Sequence, residues 1–287
     1  MPVFGLALFF FDVATMELLT PQLIIIILAT GACAGFLAGL LGIGGGVILV
    51  PLFLWLFKHA GFTPDIVVHT AFGTSLAVIL PTAVRSTLGH RSRGNVDWRM
   101  VFYLACGGIV GSLIGSSAAA VISGDILKTC FGLMQIIISL KMIFHKNRLT
   151  TAESHQTAGH SGLILVGLVG GFFSAFFGIG GGVVAVPLML MLLRLPIHLA
   201  VGNSSALIIV SSFAAVCCYI WYGLQHAAAM PFSLGYVNLL VAAIVAPLSI
   251  LFAGIGVKFA SKTSQGRLTK IFAVLLILVG LKILFNS

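Results

Sequence analysis

The stretch Gly35-Phe-Leu-Ala-Gly-Leu-Leu-Gly-Ile-Gly-Gly-Gly-Val-Ile-Leu-Val-Pro51 returns later in the chain as Gly171-Phe-Phe-Ser-Ala-Phe-Phe-Gly-Ile-Gly-Gly-Gly-Val-Val-Ala-Val-Pro187. Both copies hold three adjacent glycines between two apolar runs, followed by a proline. The match extends to two further pairs of stretches: His69-Thr-Ala-Phe-Gly-Thr-Ser75 with His198-Leu-Ala-Val-Gly-Asn-Ser204, and Gly94-Asn-Val-Asp97 with Gly235-Tyr-Val-Asn238. The chain is therefore a duplicated unit, and the duplication covers nearly all of the sequence after residue 21.

The composition is that of a membrane protein. Hydrophobic residues make up 60% of the 287 residues, charged residues make up 7%, and the mean hydropathy is +1.19. A helix needs about 20 consecutive apolar residues to cross a hydrocarbon core of about 30 Å, and most stretches between charges reach that length. These values exclude a soluble domain, and we predict an all-α polytopic membrane protein in a lipid bilayer.

Five apolar segments occur in each repeat. They cover 22–41, 46–57, 67–88, 98–122 and 125–144 in the first repeat, and 161–178, 182–193, 199–222, 232–258 and 267–285 in the second. The second segment of each repeat has about a dozen residues, which is about 18 Å of helix and too short to cross alone. We therefore predict four spans and one half-helix per repeat, with the half-helix starting at the glycine break.

The domain boundaries follow from these segments. We predict an N-terminal lead-in over residues 1–21, a first transmembrane repeat over 22–145, a linker over 146–160 and a second transmembrane repeat over 161–287. The linker is the longest polar stretch of the chain. It is too short to form a separate extramembrane module.

The loop charges indicate how the two repeats are oriented. The loop after the third segment of the first repeat is rich in arginine (Arg85, Arg91, Arg93, Arg99), whereas the equivalent Gly223–Gly235 holds no Lys or Arg. The contrast is reversed after the fourth segment, where the second repeat carries the basic residues (Lys258, Lys262, Arg267, Lys270). Because basic loops face the cytoplasm, both contrasts favour inverted repeats. A parallel repeat of four spans plus a re-entrant hairpin remains the alternative.

The overall charge and the cysteines exclude several partners. The net charge of +9 arises from short basic clusters between apolar segments and not from one patch with interleaved aromatic residues, so we predict no nucleic-acid partner. The five cysteines lie in apolar runs, and no pair has metal-ligand spacing. Since the sequence also lacks a P-loop and hydrolase motifs, we predict no enzyme activity, no cofactor and no metal.

The two glycine triplets are the first candidates for a substrate site (Gly44, Gly45, Gly46, Gly180, Gly181, Gly182). Adjacent glycines interrupt a helix and leave their backbone amides exposed. Interrupted helices at matching positions of two repeats are typical of transporter binding sites, where free amides and the positive helix N-terminus hold an anion. Close helix packing is the alternative role for these small residues.

Small polar residues at equivalent points of the two repeats are the second candidates. Thr74 and Ser75 in the first repeat match Asn203 and Ser204 in the second. Their hydroxyl and amide groups can donate hydrogen bonds to a dehydrated oxyanion, although such groups also join neighbouring helices. We predict that they bind the substrate together with the glycines.

Three cationic or titratable residues complete the candidate site. His69 and His198 occupy matched positions, and they are candidates for proton coupling because imidazole titrates near neutral pH. A capping role at a helix start is the alternative. Arg85 is a candidate for anion recruitment, with snorkelling to the membrane interface as the alternative.

The doubled Gly-Ile-Gly-Gly-Gly-x4-Pro box, followed in each repeat by His-x-Ala-x-Gly-[Thr/Asn]-Ser, resembles the TauE/SafE family of membrane permeases, also called sulfite exporters. The likeness spans about residues 22–286. It implies a secondary transporter of the bacterial-type inner membrane that carries small sulfur-containing anions such as sulfite or organosulfonates. An anion channel and a permease for another small organic anion remain alternatives, and a homo-oligomer is left open.

Overall fold

A computed structural model describes residues 21–62, 64–144, 159–226 and 232–264, with a few positions between 270 and 281. The first predicted repeat forms helices α1 (Pro21–Leu41), α2 (Gly46–His59), α3 (Pro64–Arg91), α4 (Trp98–Val121) and α5 (Gly124–Phe144). The second forms α6 (His160–Phe177), α7 (Gly182–Met191), α8 (Ile197–His226), the strands β1 (Ser233–Leu234) and β2 (Val237–Asn238), and α9 (Leu239–Ala260). The predicted lead-in over 1–21 and linker over 146–160 lie almost wholly outside the described residues, and so does most of the last segment.

The predicted class of the protein is confirmed. Within the described residues, six helices are long and apolar enough to cross a membrane (α1, α3, α4, α6, α8, α9). The helices that follow the glycine breaks, α2 and α7, have 14 and 10 residues and fall short of a full crossing. The chain is therefore an all-α polytopic membrane protein with two short apolar helices.

The predicted segment 232–258 is wrong at its start. Residues 233–238 form a two-stranded antiparallel hairpin, and the helix begins only at Leu239. Phe232 and Gly235 have φ angles of 53° and 58°, which a helix cannot accommodate. The side-chain oxygen of Asn238 then accepts a hydrogen bond from the Val241 amide at 2.9 Å and caps the new helix. Leu234, Tyr236 and Val237 lead directly into the apolar run of the helix, and this continuity hid the turn.

The matched helices α3 and α8 pack against each other in opposite directions. Ser86, near the end of α3, lies 3.0 Å from Ser205, near the start of α8, with one hydroxyl donating to the other. Conversely, Gly73 near the start of α3 packs against Tyr219 in the second half of α8. These two contacts show that α3 and α8, which occupy the same place in the two predicted repeats, are antiparallel.

The two repeats are interlocked through their other helices. Gly35 of α1 lies against the backbone of Ser249 in α9, and Gly111 of α4 lies against the backbone around Phe172 in α6. In both cases the first helix of one repeat packs on the fourth helix of the other. The glycines allow the backbones to approach closely, as small residues do in membrane helices. Neither repeat can therefore bury its helices without the other.

The basic residues of both repeats collect at one end of the bundle, here called the basic end. Gly89, close to the arginine-rich end of α3, packs against Val257 of α9, next to Lys258. Arg91 lies over the ring of Trp98 at 5.8 Å, and His160 at the start of α6 stacks on Tyr103 at 4.3 Å. The described basic residues at this end are Arg85, Arg91, Arg93, Arg99, Arg194, Lys258 and Lys262. Lys58 and Lys128 lie at the opposite end.

Candidate functional site

The two glycine breaks have the same backbone conformation. Gly42, Gly44 and Gly45 have φ angles of 66°, 78° and 82°. The matched residues of the second repeat (Gly178, Gly180, Gly181) have φ angles of 67°, 82° and 76°. Side chains other than glycine rarely adopt this left-handed region, so the sequence of three spaced positive φ angles requires glycine at each position.

The two breaks are in direct contact. A Cβ atom placed on Gly46 would come within 2.5 Å of the Ile179 Cα atom. A Cβ atom placed on Gly182 would come within 2.6 Å of the Ile43 Cα atom. Each break thus packs its first helical residue against the isoleucine of the other. The candidate glycines of both repeats are brought to one place.

The short helices run away from this place in opposite directions. The C-terminal end of α2 leads to the start of α3, and the C-terminal end of α7 leads to the start of α8. Because α3 and α8 are antiparallel, these two destinations lie at opposite ends of the bundle. The N-termini of α2 and α7 therefore face each other at its centre, where both positive helix ends converge.

The first amides of both short helices have no backbone acceptor in the described part of the chain. The earliest hydrogen bonds in α2 and α7 are donated by Ile48 and Val184. The amides of Gly46, Val47 and Gly182 therefore remain available. Buried amides without acceptors are costly in a membrane, so a ligand or water is expected to meet them.

Two isoleucines close the centre. Ile79 of α3 and Ile208 of α8 are matched residues, and both are fully buried. A Cβ atom on Gly44 would meet Ile79 Cγ2 at 2.9 Å, and one on Gly180 would meet Ile79 Cγ2 at 2.9 Å and Ile208 Cγ2 at 3.3 Å. The glycines are buried in this conformation, which is closed around the helix ends.

The matched serines Ser75 and Ser204 differ in their partners. The Ser204 hydroxyl donates to the Gly42 carbonyl at 2.9 Å and so holds the first break. The Ser75 hydroxyl is fully buried and has no hydrogen-bond partner among the residues that the structure describes. Ser75 lies one turn along α3 from Phe72, whose Cα would be 2.6 Å from a Cβ on Gly178 of the second break. The second break thus has an unused donor beside it.

Thr74 and Asn203 hold the loops that precede α9 and α4. The Thr74 hydroxyl accepts a hydrogen bond from the Asn238 amide at 2.9 Å. The Asn203 side-chain oxygen accepts one from the Asp97 amide at 2.8 Å. Asn238 and Asp97 are the matched N-cap residues of α9 and α4. The same contact is therefore made twice, once by each repeat, and the side-chain oxygens of both Thr74 and Asn203 accept a backbone hydrogen bond in it.

The predicted proton-coupling histidines lie toward opposite ends of the bundle, and Arg85 lies on its surface. A ring nitrogen of His69, Nε2, donates to the Ala119 carbonyl at 3.0 Å, and the ring packs 5.2 Å from Tyr236. His198 is half-buried near the start of α8, at the basic end. Arg85 is exposed, with its guanidinium beside Gly254 of α9. None of the three supplies one of the atoms nearest to the Cβ positions of the break glycines.

His90 is a buried histidine that the sequence analysis missed. It is 1% exposed, its Nε2 lies 3.0 Å from the Gly39 carbonyl, and its Nδ1 has no hydrogen-bond partner in the described part of the chain. The matched residue in the second repeat is Tyr219, whose hydroxyl donates to the Ala175 carbonyl at 2.9 Å. An alignment of the two repeats through this region would have shown that His90 and Tyr219 occupy matched positions. In the described ranges, no group of His, Cys, Asp or Glu could hold a metal ion.

The comparisons with known proteins agree with this architecture. Residues 27–283 match the family model described as "Sulfite exporter TauE/SafE". The chain is 30% identical to a "Probable membrane transporter protein" of Xylella fastidiosa over 276 residues, which covers 94% of this chain and 98% of the relative. It is 28% identical to the "Probable membrane transporter protein YunE" of Bacillus subtilis, covering 92% and 98%.

An archaeal relative shows the same degree of similarity. A "Probable membrane transporter protein" of Methanocaldococcus jannaschii is 30% identical over 267 residues, covering 92% of this chain and 95% of the relative. No solved structure matches the chain significantly. The prediction of a multi-pass membrane transporter is confirmed by the family match and by these relatives.

Proposed function

This chain belongs to the sulfite exporter TauE/SafE family and is a membrane transporter, and on that premise we propose that it carries small sulfur-containing anions across the bilayer. The observation that carries the proposal is the meeting of the α2 and α7 N-termini at the glycine breaks. Two converging helix ends with unused amides favour a ligand with a compact negative charge. Sulfite and organosulfonates have such a charge on three oxygens.

The proposed site contains the amides of Gly44–Val47 and Gly180–Val183, with the Ser75 hydroxyl beside them. Ser204, Thr74 and Asn203 support this site by holding the first break and the two capped loops. The support matters because irregular backbone at membrane depth needs surrounding protein to hold it.

A transporter agrees better with this conformation than an open channel does. The breaks are buried beneath Ile79 and Ile208, which are themselves fully buried. An anion can reach the amides only after the isoleucines move. Movement of the helix pairs α1–α9 and α4–α6 relative to α3 and α8 would open the site first to one side of the membrane and then to the other. This is the alternating access of a secondary transporter.

The arrangement of the helices supports inverted repeats. The matched helices α3 and α8 are antiparallel, and the basic loops of both repeats lie at the same end. By the positive-inside rule, the basic end faces the cytoplasm. We propose that the protein lies in a bacterial-type inner membrane.

Flux measurements with purified protein in liposomes test the proposed function. Sulfite, thiosulfate, methanesulfonate and acetate are supplied separately at matched concentration, with neutral glycerol as a control. We expect saturable flux of the sulfur-containing anions and little flux of glycerol. Flux that does not saturate would indicate a channel, and flux of glycerol alone would overturn the anion proposal.

A further inference from the structure

We infer that Thr87 and His90 form a second anion site at the basic end, distinct from the glycine breaks, in which a small oxyanion binds together with a proton. The two side chains are three residues apart on α3 and so lie on one face of the helix. Thr87 is 3% exposed and His90 is 1% exposed. The site deepens the proposed function, because it would load the anion from the cytoplasmic side.

Both residues have a buried polar atom without a partner. Thr87 Oγ1 and His90 Nδ1 have no hydrogen-bond partner in the described protein. Most buried polar atoms in proteins are paired, and each exception needs an explanation. Thr87 Oγ1 and His90 Nδ1 are two such exceptions, one helical turn apart and within a turn of the arginine-rich loop. Their position indicates that a ligand supplies the missing hydrogen-bond partners.

The contact at the other ring nitrogen determines what this ligand can be. The Gly39 carbonyl can only accept a hydrogen bond, so His90 Nε2 must carry its proton. In the neutral imidazole, Nδ1 then presents a lone pair, which repels an anion. When His90 takes up a proton, that proton can go only to Nδ1, which becomes a donor. An oxyanion would therefore bind with one proton, and Thr87 Oγ1 would supply a second donor.

The surroundings of His90 agree with an anion site. Arg93 follows on the same segment, and His198 approaches from α8, both near enough to interact electrostatically with His90. On the neighbouring α9, Val257 packs against Gly89, and Lys258 is the next residue. Helix α1 contributes the uncharged backbone of Gly39. The described groups around the site are therefore cationic or neutral.

The second repeat serves as an internal comparison. The residues that match Thr87 and His90 are Val216 and Tyr219. Val216 has no polar atom in its side chain, and the Tyr219 hydroxyl is already paired with the Ala175 carbonyl. The opposite end of the bundle thus lacks both unpaired atoms. Among the described residues, the matched positions of the second repeat therefore form no equivalent site.

Nitrogen NMR of the full-length protein with ¹⁵N-labelled histidine, in detergent micelles, tests the inference. The probes are methanesulfonate and sulfate, which keep their charge between pH 5 and 8. We expect either anion to raise the midpoint of His90 Nδ1 protonation, and anion affinity to fall about tenfold per pH unit above that midpoint. The double variant T87V/H90Y copies the second repeat and should lose the anion binding that depends on His90 protonation, whereas H59Q, a change at the exposed histidine that ends α2, should retain it.

The single variant T87V separates folding from binding, since it keeps the imidazole signal and removes one donor. It should reduce the anion-induced change in midpoint while the signal of the Nε2 atom stays unchanged. An unchanged His90 midpoint with both anions would overturn the inference, even if liposome flux is normal. Conversely, a raised midpoint in a protein without measurable flux would support this site and contradict the proposed function.

Discussion

Gly46 lies against Ile179 so closely that a single added Cβ atom would approach the Ile179 Cα atom to 2.5 Å. The first residue of one short helix is thus seated on the break of the other repeat. The reciprocal contact joins Gly182 to Ile43. The breaks form one structural unit, and changes at either one should affect the whole site.

We expect Gly46→Ala and Gly182→Ala each to lower anion flux at least tenfold. The added methyl group would push the two breaks apart, because its neighbours are backbone atoms that cannot move independently. Gly159→Ala is a matched control, since Gly159 has a φ angle of -58° and only the Ser161 Oγ atom, at 3.9 Å, lies within 4 Å of its Cβ position. Liposome flux and membrane abundance are measured for all three. Loss of half the flux in each site variant would indicate two independent pathways.

Cysteine labelling should place Ser92 and Ser233 on opposite sides of the membrane. Ser92 belongs to the arginine-rich loop, and Ser233 belongs to the hairpin near the other end of α3. Each position is replaced by cysteine in a variant that lacks the native cysteines, and an impermeant maleimide is added from one side. We expect Ser92→Cys to react only from the cytoplasm. Reaction of both positions from the same side would contradict inverted repeats.

Thr74→Val should lower stability more than it changes anion affinity. The substitution removes the acceptor of the Asn238 amide, and a buried donor left unpaired costs about 1–3 kcal/mol. Asn203→Leu should do the same through the Asp97 amide. Thermal unfolding and the KM of flux separate the two effects. A large rise in KM without a change in Tm would instead indicate that Thr74 and Asn203 bind the substrate directly.

His198→Gln should flatten the pH dependence of flux more than His69→Gln does. His198 lies at the basic end near His90, whereas His69 is tied to the Ala119 carbonyl and packs against Tyr236. Burial raises the pKa of Tyr236 above its ordinary value, so this phenol stays neutral across physiological pH and adds no titration beside His69. Flux is compared between pH 5 and 8. If His69→Gln loses more of the pH dependence than His198→Gln does, His69 and not His198 is the residue that links flux to pH.

The sequence predicted those features that depend on local chemistry. The glycine triplets, the two short helices and the membrane class all follow from residue type and spacing, and the structure contains them. The sequence also showed that Asp97 and Asn238, which cap helices in the structure, occupy matched positions in the two repeats. These features repeat in both halves, so each copy supports the interpretation of the other.

The sequence could not predict which side-chain atoms remain unpaired. Ser75 and Ser204 have the same residue type at the same place, yet only Ser204 reaches a carbonyl. That difference depends on the distance between helices from different repeats. The hairpin at 233–238 was missed because Leu234, Tyr236 and Val237 read as the start of the apolar run that follows, and its turn depends on two positive φ angles. His90 was missed because a single histidine gives no signal until its neighbours are known.

The central claim is that both breaks bind one anion between them. Anomalous diffraction from crystals soaked in selenite, the selenium analogue of sulfite, measures this directly. We predict one selenium peak at the centre of the bundle, with its oxygens about 3 Å from the amides of Gly46 and Gly182, at ordinary hydrogen-bond distance. A separate peak at each break, or no peak close to both breaks, would contradict this claim, whereas an additional peak beside His90 would belong to the Thr87–His90 site.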